Sequence, residues 1–386
     1  MHRMRAHHPT VVAISAATAF SLLGDQMLYA VLPVYFVNLG LAGIEVGIIL
    51  SANRWIRLAT NHFAHVASPR ATPRVWLTIA FVLGALTTLG YAATGSFTLL
   101  LIARLLWGLA WSFIRHVGVL EVVAHAPLDA PARAMGFYQG VSRVGSVAGL
   151  LGGAALVDAF GYVAAVWLLT VTSLASVVLI VRDRTLSTTP AREHAHVQRA
   201  SLDRQRVVEL LLGFSLGIVG PGFVTATLGV VLQPYSADLH LPGLTAATMT
   251  GALLGVRFVI ESIAAPSLGS LSDRWGVRRT ASTFFLLGGA ALVLASTRSD
   301  AVLLLTLALL AFYFSSTALH AGIAASVSQH GSAAYARYVT ASDVGAAAGP
   351  LLGWIAVDLF GYAAVGLVLG GAFYLTAALL ARVYLK

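Results

Sequence analysis

The sequence predicts an all-α integral membrane protein of about twelve transmembrane helices, arranged as two related six-helix bundles. Three observations support this fold class. The chain is 58% hydrophobic and only 10% charged, with a mean hydropathy of +0.84, whereas soluble domains are about half apolar and a quarter charged. Apolar runs of about 20 residues alternate with short polar segments, as spanning helices require. The third observation is an internal repeat at half the chain length, which is typical of membrane transporters.

The repeat is clearest around residues 142–162, which return 200 positions later. The preserved residues are Gly145 with Gly345, Gly149 with Gly349, Gly153 with Gly353, and Val157-Asp158-Ala159-Phe160-Gly161-Tyr162 with Val357-Asp358-Leu359-Phe360-Gly361-Tyr362. One charge differs, because Arg143 in the first copy corresponds to Asp343 in the second. Both lie in an apolar run, where a charge is costly and points to function.

The apolar runs define the helices in chain order. We predict helices at about 10–38, 43–66, 75–95, 97–125, 133–157 and 161–181, then at about 207–236, 243–271, 280–297, 299–327, 333–357 and 361–384. The first run is longer than the apolar core of a signal peptide, so it is interpreted as a spanning helix. Residues 1–181 then form an N-terminal bundle, 182–206 a polar linker, and 207–386 a C-terminal bundle.

The basic residues predict the orientation. Outside the predicted helices they lie at both termini, in the linker, and in the loops after helices 2, 4, 8 and 10, whereas the opposite loops hold only Arg298. By the positive-inside rule both termini and the linker are cytoplasmic. The excess of positive charge is thereby explained without a nucleic-acid partner.

A short motif resembles a known family. Gly269-Ser-Leu-Ser-Asp273-Arg274-Trp-Gly276-Val-Arg278-Arg279 is similar to the G-x-x-x-D-R-x-G-R-R loop signature of the major facilitator superfamily, with Val277 in place of one arginine. Residues 101–108, around Arg104, resemble the helix 4 motif linked to proton coupling in antiporters of that family. The resemblance implies the major facilitator fold and relates the chain to bacterial drug:proton antiporters of the inner membrane.

The glycines of helix 5 resemble a second family pattern. Gly136, Gly145, Gly149 and Gly153 fit the spacing of a motif associated with exporters, although Leu150 stands where that motif has proline and Ala154 where it has its last glycine. The alternative interpretation is close helix packing through small residues, which needs no transport role.

Two residues are predicted to couple transport to protons. The resemblance implies that an acidic residue of helix 1, here Asp25, faces a central cavity near the helix 4 arginine, here Arg104. Burial and a nearby arginine act on such a carboxylate in opposite directions, so it can gain and release a proton as the cavity changes sides. The alternatives are a static Asp25–Arg104 pair, or an Asp25 capped by Tyr29 or Gln26.

Four intramembrane charges predict a gate between the halves. Arg57 corresponds in the repeat to Glu261, just as Arg143 corresponds to Asp343. In the superfamily fold helix 2 faces helix 11 and helix 5 faces helix 8, which implies the pairs Arg57–Asp343 and Arg143–Glu261. The alternative is that each charge pairs within its own half.

The remaining candidates would line the substrate cavity. Arg54 and Arg257 are left without an acidic partner once the pairs above are drawn, so their charge could receive an anionic substrate. The other cavity candidates are aromatic or titratable side chains within the spans: Tyr29, Trp107, Trp111, Tyr138, Tyr313 and His320. Packing between helices is the alternative interpretation for each of them.

These observations predict a secondary active transporter, a proton-coupled exporter of a small amphipathic compound working by alternating access. The alternatives are a carrier, by export or uptake, for an anionic metabolite, a metal chelate such as a siderophore, or a lipid, and a non-transporting receptor or scaffold with this fold. No nucleophile motif or phosphate-binding loop indicates an enzyme. We expect a monomer in the lipid bilayer, with a small-molecule substrate and protons as partners and without cofactor or metal.

Overall fold

The computed structural model describes residues 8–93, 95–127, 131–186, 204–239, 245–297 and 302–385, and within these ranges the chain is helical apart from short turns and contains no β-strand. The first half holds α1 (Pro9–Tyr35), α2 (Gly43–Ala67), α3 (Pro73–Gly90), α4 (Phe97–Ala124), α5 and α6 (Tyr162–Arg182). Helix α5 consists of Pro131–Val147, a π-helical segment at Ala148–Gly152, and Gly153–Phe160.

The second half holds α7, α8 (Ala246–Trp275), α9 (Val277–Ser296), α10 (Val302–Ser328), α11 (Ser332–Phe360) and α12 (Val365–Tyr384). Helix α7 consists of Arg204–Gly217, a π-helical segment at Ile218–Val224, and Thr225–Leu239. Among the described residues, 11 helices are long and apolar enough to cross a membrane. Helix α2 has a similar length but carries Glu45, Arg54 and Arg57. The helix order confirms the predicted fold class.

The contacts divide the chain into two units. Unit 1 comprises Met1–Leu28 and Trp55–His194, and unit 2 comprises Tyr29–Arg54 and Ala195–Lys386. The end of α1 and the start of α2 therefore pack with the second half of the chain. The linker predicted at 182–206 lies mostly outside the described residues, so the predicted boundary stays a prediction.

Equivalent helices make equivalent contacts in the two units. In unit 1, α3 packs against α4 and α6, and in unit 2, α9 packs against α10 and α12. The repeated glycines lie at a second equivalent pair of contacts, α5 with α1 and α11 with α7. A Cβ atom at Gly145 would come within 2.5 Å of the backbone of Ala19, and one at Gly345 within 2.3 Å of the carbonyl oxygen of Phe214. The repeat thus encodes close backbone packing, which small residues allow.

The predicted loop motif is mostly helical. Gly269, Asp273 and Arg274 all belong to α8, which ends at Trp275. The reversal into α9 needs only Gly276, whose φ of +81° is a conformation that favours glycine. Arg278 follows in the first turn of α9, where its Nε donates to the carbonyl oxygen of Arg382 at 2.8 Å. The expected loop is therefore a single-residue turn, because glycine can reverse the chain without further residues.

We expect Gly145→Ala to destabilise the protein. The added Cβ would contact the backbone of Ala19 at 2.5 Å, and backbone cannot rotate away as a side chain can. Overpacking of this kind costs about 1–3 kcal/mol. Thermal unfolding in detergent measures the effect. Gly140→Ala is the matched control on the same helix, because a Cβ there meets nothing within 4 Å and should stabilise slightly through helix propensity. Equal unfolding temperatures for the two variants would contradict this packing.

Candidate functional site

A buried ion pair joins α1 to α4 inside unit 1. Arg104 donates from Nη1 to Oδ1 of Asp25. Arg104 is 0% exposed and Asp25 is 4% exposed. Charges this deeply buried are retained only when they are paired and hydrogen-bonded, and here each group neutralises the other. The structure thus brings together the two residues that were predicted to couple transport to protons.

Two further side chains complete this pair. Gln26 donates from Nε2 to the second carboxylate oxygen of Asp25 at 2.9 Å. Tyr91, which follows the end of α3, places its hydroxyl 3.4 Å from Nη1 of Arg104. The guanidinium carbon of Arg104 also lies 6.0 Å from the centre of the Tyr91 ring, within range of a cation–π contact. Both oxygens of the carboxylate therefore have a donor.

Unit 1 contains a cavity of about 680 Å³ between α1, α4 and α5. This volume is in the range of small-molecule sites. The lining residues are Leu22 and Gln26 from α1, Trp111, Arg115, His116, Val119 and Leu120 from α4, and Met135, Tyr138, Gln139, Ser142, Arg143 and Ser146 from α5. The cavity thus combines apolar and aromatic surface with polar groups on two helices.

Positive side chains dominate the charge of the cavity. Two arginines, Arg115 and Arg143, line it, and none of the lining residues that the structure describes carries a carboxylate. The His116 ring is held in position, since its Nε2 lies 3.3 Å from the hydroxyl of Ser68. A compound bound here would meet cations and hydrogen-bonding side chains beside the rings of Trp111 and Tyr138.

Gln26 connects the cavity with the ion pair. Its side chain lines the cavity and donates to Asp25, which in turn accepts from Arg104. A compound that engages Gln26 can therefore alter the hydrogen bonding of Asp25 directly. The arrangement consists of a polar cavity, one carboxylate behind it, and a buried arginine as the counter-charge of that carboxylate.

Two predicted cavity aromatics lie instead in packed interiors. Trp107 is 2% exposed, and its ring occupies the space left by Gly84 of α3. Tyr313 is 1% exposed and packs against Phe312, with ring centres 5.5 Å apart. Trp107 thus packs between α4 and α3, and Tyr313 is buried beside its chain neighbour on α10. Only Trp111 and Tyr138 of the predicted set line the unit 1 cavity, and His320 is half-buried on α10 in unit 2.

Arg54 is held by backbone carbonyl groups of unit 2. Its Nη1 donates to Pro221 at 2.8 Å and to Ala346 at 2.7 Å. Pro350, four residues after Ala346, has no N–H to bond that carbonyl, and Pro221 lies in the π-helical segment of α7. The guanidinium also lies 5.6 Å from the ring centre of Tyr29. Irregular helix geometry thus supplies hydrogen-bond acceptors for Arg54, and the expectation that its charge receives an anionic substrate stays a prediction.

Arg257 has an acidic partner one helical turn away. Its Nε donates to Glu261 at 2.8 Å, and both side chains are 16% exposed. Residues four apart on a helix are neighbours, so α8 forms this pair by itself. The expectation that Arg257 lacks an acidic partner is therefore wrong. The predicted gate, Arg57 with Asp343 and Arg143 with Glu261, stays a prediction, and Glu261 can take part only by sharing its carboxylate with Arg257.

The sequence held an unused signal for this cavity. Gln139, Ser142 and Ser146 recur at helical spacing on α5 and form one polar stripe in an apolar span. This periodicity marks the face of α5 that lines the cavity. Arg115 and His116 on α4 are adjacent in the sequence and carry no such periodic signal. Tyr91 had no such signal, because its role depends on where α3 ends beside Arg104.

A family profile matches this chain over nearly its whole length. The profile described as Major Facilitator Superfamily matches residues 14–260 and 214–386. Among curated proteins, none matches the sequence significantly.

Solved structures share the fold at low sequence identity. The nucleoside transporter NupG has a TM-score of 0.77 and 12% identity, covering 98% of this chain and 99% of its own. A bacterial homologue of the human lysosomal transporter Spinster, in an inward-facing and occupied conformation, has a TM-score of 0.77 and 12% identity, with coverage of 96% and 95%. A POT family transporter in complex with a thioalcohol-conjugated peptide has a TM-score of 0.75 and 13% identity, with coverage of 96% and 94%. At these identities the likeness shows the fold alone.

We expect Asp25 and Arg104 to be energetically coupled. Asp25→Asn or Arg104→Gln alone leaves one buried charge without its counter-charge, which costs about 3–5 kcal/mol. The double variant carries no charge there and should cost clearly less than the sum of the single changes. Chemical unfolding in detergent of the wild type, the two single variants and the double variant gives the coupling energy of this double-mutant cycle. Arg115→Gln in the cavity is a control that we expect to change the free energy of unfolding little. Additive costs for Asp25→Asn and Arg104→Gln would show that the pair does not act as a unit.

Proposed function

This chain belongs to the Major Facilitator Superfamily of secondary transporters, and we propose that it couples proton binding at Asp25 to the transport of a small amphipathic compound carrying negative charge. The single observation that carries the proposal is the continuous path from the unit 1 cavity through Gln26 to the Asp25–Arg104 pair. The chain is a transporter rather than an enzyme, and its family relatives of known structure are transporters.

The character of the substrate follows from the cavity wall. Trp111 and Tyr138 offer ring surface, while Arg115 and Arg143 offer positive charge. Rings and aliphatic stems favour an apolar body, and charge-assisted hydrogen bonds from arginine favour carboxylates and phosphates. An organic anion with an aromatic or aliphatic body satisfies both parts. A lipophilic cation would be repelled by the same side chains.

The coupling follows from the charge balance at Asp25. With Asp25 ionised, the charge of Arg104 is compensated. Protonation of Asp25 leaves Arg104 with a net positive charge one side chain away from the cavity, and that charge attracts an anion. Proton and anion therefore favour each other's binding, as reciprocal linkage requires. Co-transport of the two is the coupling that this arrangement favours, and with an inward proton gradient it gives uptake.

Export in exchange for protons is the second candidate. The observation that favours it is the glycine series of α5, whose spacing resembles the exporter motif. Gly145, Gly149 and Gly153 pack directly against α1, the helix that carries Asp25. In an exchange mechanism the substrate and the proton would occupy this site in turn, so that binding of one accompanies release of the other. The two candidates share the cavity and the carboxylate and differ in the sign of the coupling.

A growth assay in an efflux-deficient bacterium tests substrate charge and direction together. The probes are toxic aromatic carboxylates, lipophilic cations and neutral antibiotics. We expect the wild type to change sensitivity to the carboxylates, upward under co-transport and downward under export. Asp25→Asn should abolish the change, and Arg143→Gln should weaken it by about tenfold or more, because it removes a charge-assisted hydrogen bond.

Matched controls keep the assay specific. Arg133→Gln removes an exposed arginine from the same helix as Arg143 and should leave the response unchanged. Asp25→Glu keeps a titratable carboxylate and should retain part of the activity. Immunoblots of membranes show whether each variant is present in equal amount. A response confined to the lipophilic cations, or full activity of Asp25→Asn, would overturn the proposal.

A further inference from the structure

Unit 2 has a second basic cavity, remote in sequence from the substrate residues. It measures about 740 Å³ and lies between the start of α9 and the end of α12. Arg278 and Arg279 come from the first turn of α9, and Arg382 comes from the last turn of α12. All three side chains are exposed. Three guanidinium groups from two helices thus meet at one end of the bundle.

The remainder of the cavity changes from polar to apolar along the helices. Ser282 and Thr283 follow the arginines on α9. The next lining residues are leucines, of which Leu286 is 55% exposed and Leu379 is 66% exposed. In a membrane protein such exposed leucines are suited to contact with lipid tails. The cavity is therefore cationic at one end and apolar along the rest of its length. A phospholipid has the matching order, a phosphate headgroup followed by apolar acyl chains.

The repeat-related position in unit 1 has one arginine fewer. Arg74 of α3 donates to the carbonyl oxygen of Asp183 after α6, just as Arg278 donates to that of Arg382. Arg279 of unit 2 corresponds to Val75 of unit 1. Val383 of unit 2 corresponds to the acidic Asp183 of unit 1. Unit 2 therefore has an arginine where unit 1 has valine, and a valine where unit 1 has aspartate. In both units an arginine side chain donates to a backbone carbonyl group at the end of the neighbouring helix.

From these observations we propose that the cavity between α9 and α12 binds the phosphate headgroup of an anionic phospholipid. Arg278, Arg279 and Arg382 bind the phosphate oxygens, and arginine suits this role because its fork of N–H groups matches phosphate geometry. The acyl chains lie along Leu286 and Leu379. The predicted orientation places these arginines at the cytoplasmic leaflet, where basic pockets between helices bind anionic headgroups.

Native mass spectrometry of delipidated protein in a neutral detergent tests the proposal. The probes are phosphatidylglycerol, phosphatidylcholine with the same acyl chains, and glycerol phosphate. We expect the wild type to prefer phosphatidylglycerol. Each arginine near a membrane surface contributes about fivefold in binding, so Arg279→Gln should weaken phosphatidylglycerol binding by about that factor. The triple variant Arg278→Gln, Arg279→Gln, Arg382→Gln should lose the preference.

The control is the repeat-related double variant Arg74→Gln, Arg182→Gln. It removes two arginines at the equivalent ends of α3 and α6 and should keep the wild-type preference. If the triple variant does not fold, the single variant Arg279→Gln tests the proposal by itself. We expect it to fold, because the Arg279 side chain is exposed at the surface. Equal binding by Arg279→Gln and the wild type would overturn the proposal. Binding of glycerol phosphate as tight as that of phosphatidylglycerol would also overturn it, since the site would then take a free phosphate.

Discussion

The buried pair between Asp25 and Arg104 is the interaction on which this account of the molecule depends. A guanidinium with no exposed surface keeps its charge inside a membrane protein, so it needs a counter-charge such as this carboxylate to offset the cost of burial. In the proposed function, proton uptake by that carboxylate changes the net charge of the interior by one unit. Gln26 lies between the carboxylate and a cavity lined by two arginines, so the proposed coupling of protons to substrate passes through its side chain.

Helix packing fixes the pair in place. Gly145, Gly149 and Gly153 let α5 approach the backbone of α1 at successive turns, and this approach sets Gln26 beside the cavity wall of α5. On the other side of α1, a Cβ at Gly24 would come within 2.4 Å of Thr88 on α3. Asp25 therefore lies on a helix held by small residues on two sides. The titratable group is placed by backbone contacts that involve no charge.

Apolar length and the internal repeat predicted the twelve-helix fold, and the family resemblance implied that Asp25 lies near Arg104. Prediction from the sequence failed where function depends on distant geometry. Arg54 meets a carbonyl group 292 positions away, which becomes available because Pro350 lacks an N–H. Tyr91 reaches Arg104 only because α3 ends where it does. The pair of Arg257 with Glu261 could have been predicted from the sequence, because the two residues are four positions apart on one helix. It was missed because the family resemblance had already assigned Glu261 to Arg143.

Infrared difference spectroscopy of the reconstituted protein tests whether Asp25 binds and releases a proton. The measurement needs no knowledge of the substrate. The carboxylic-acid C=O band of a protonated aspartate is recorded while pH is varied over the range in which the protein stays folded. We predict a pH-dependent band in the wild type that is absent in Asp25→Asn and unchanged in Asp158→Asn. Identical spectra for wild type and Asp25→Asn at every pH would mean that Asp25 stays ionised, and the pair would then be a fixed structural element.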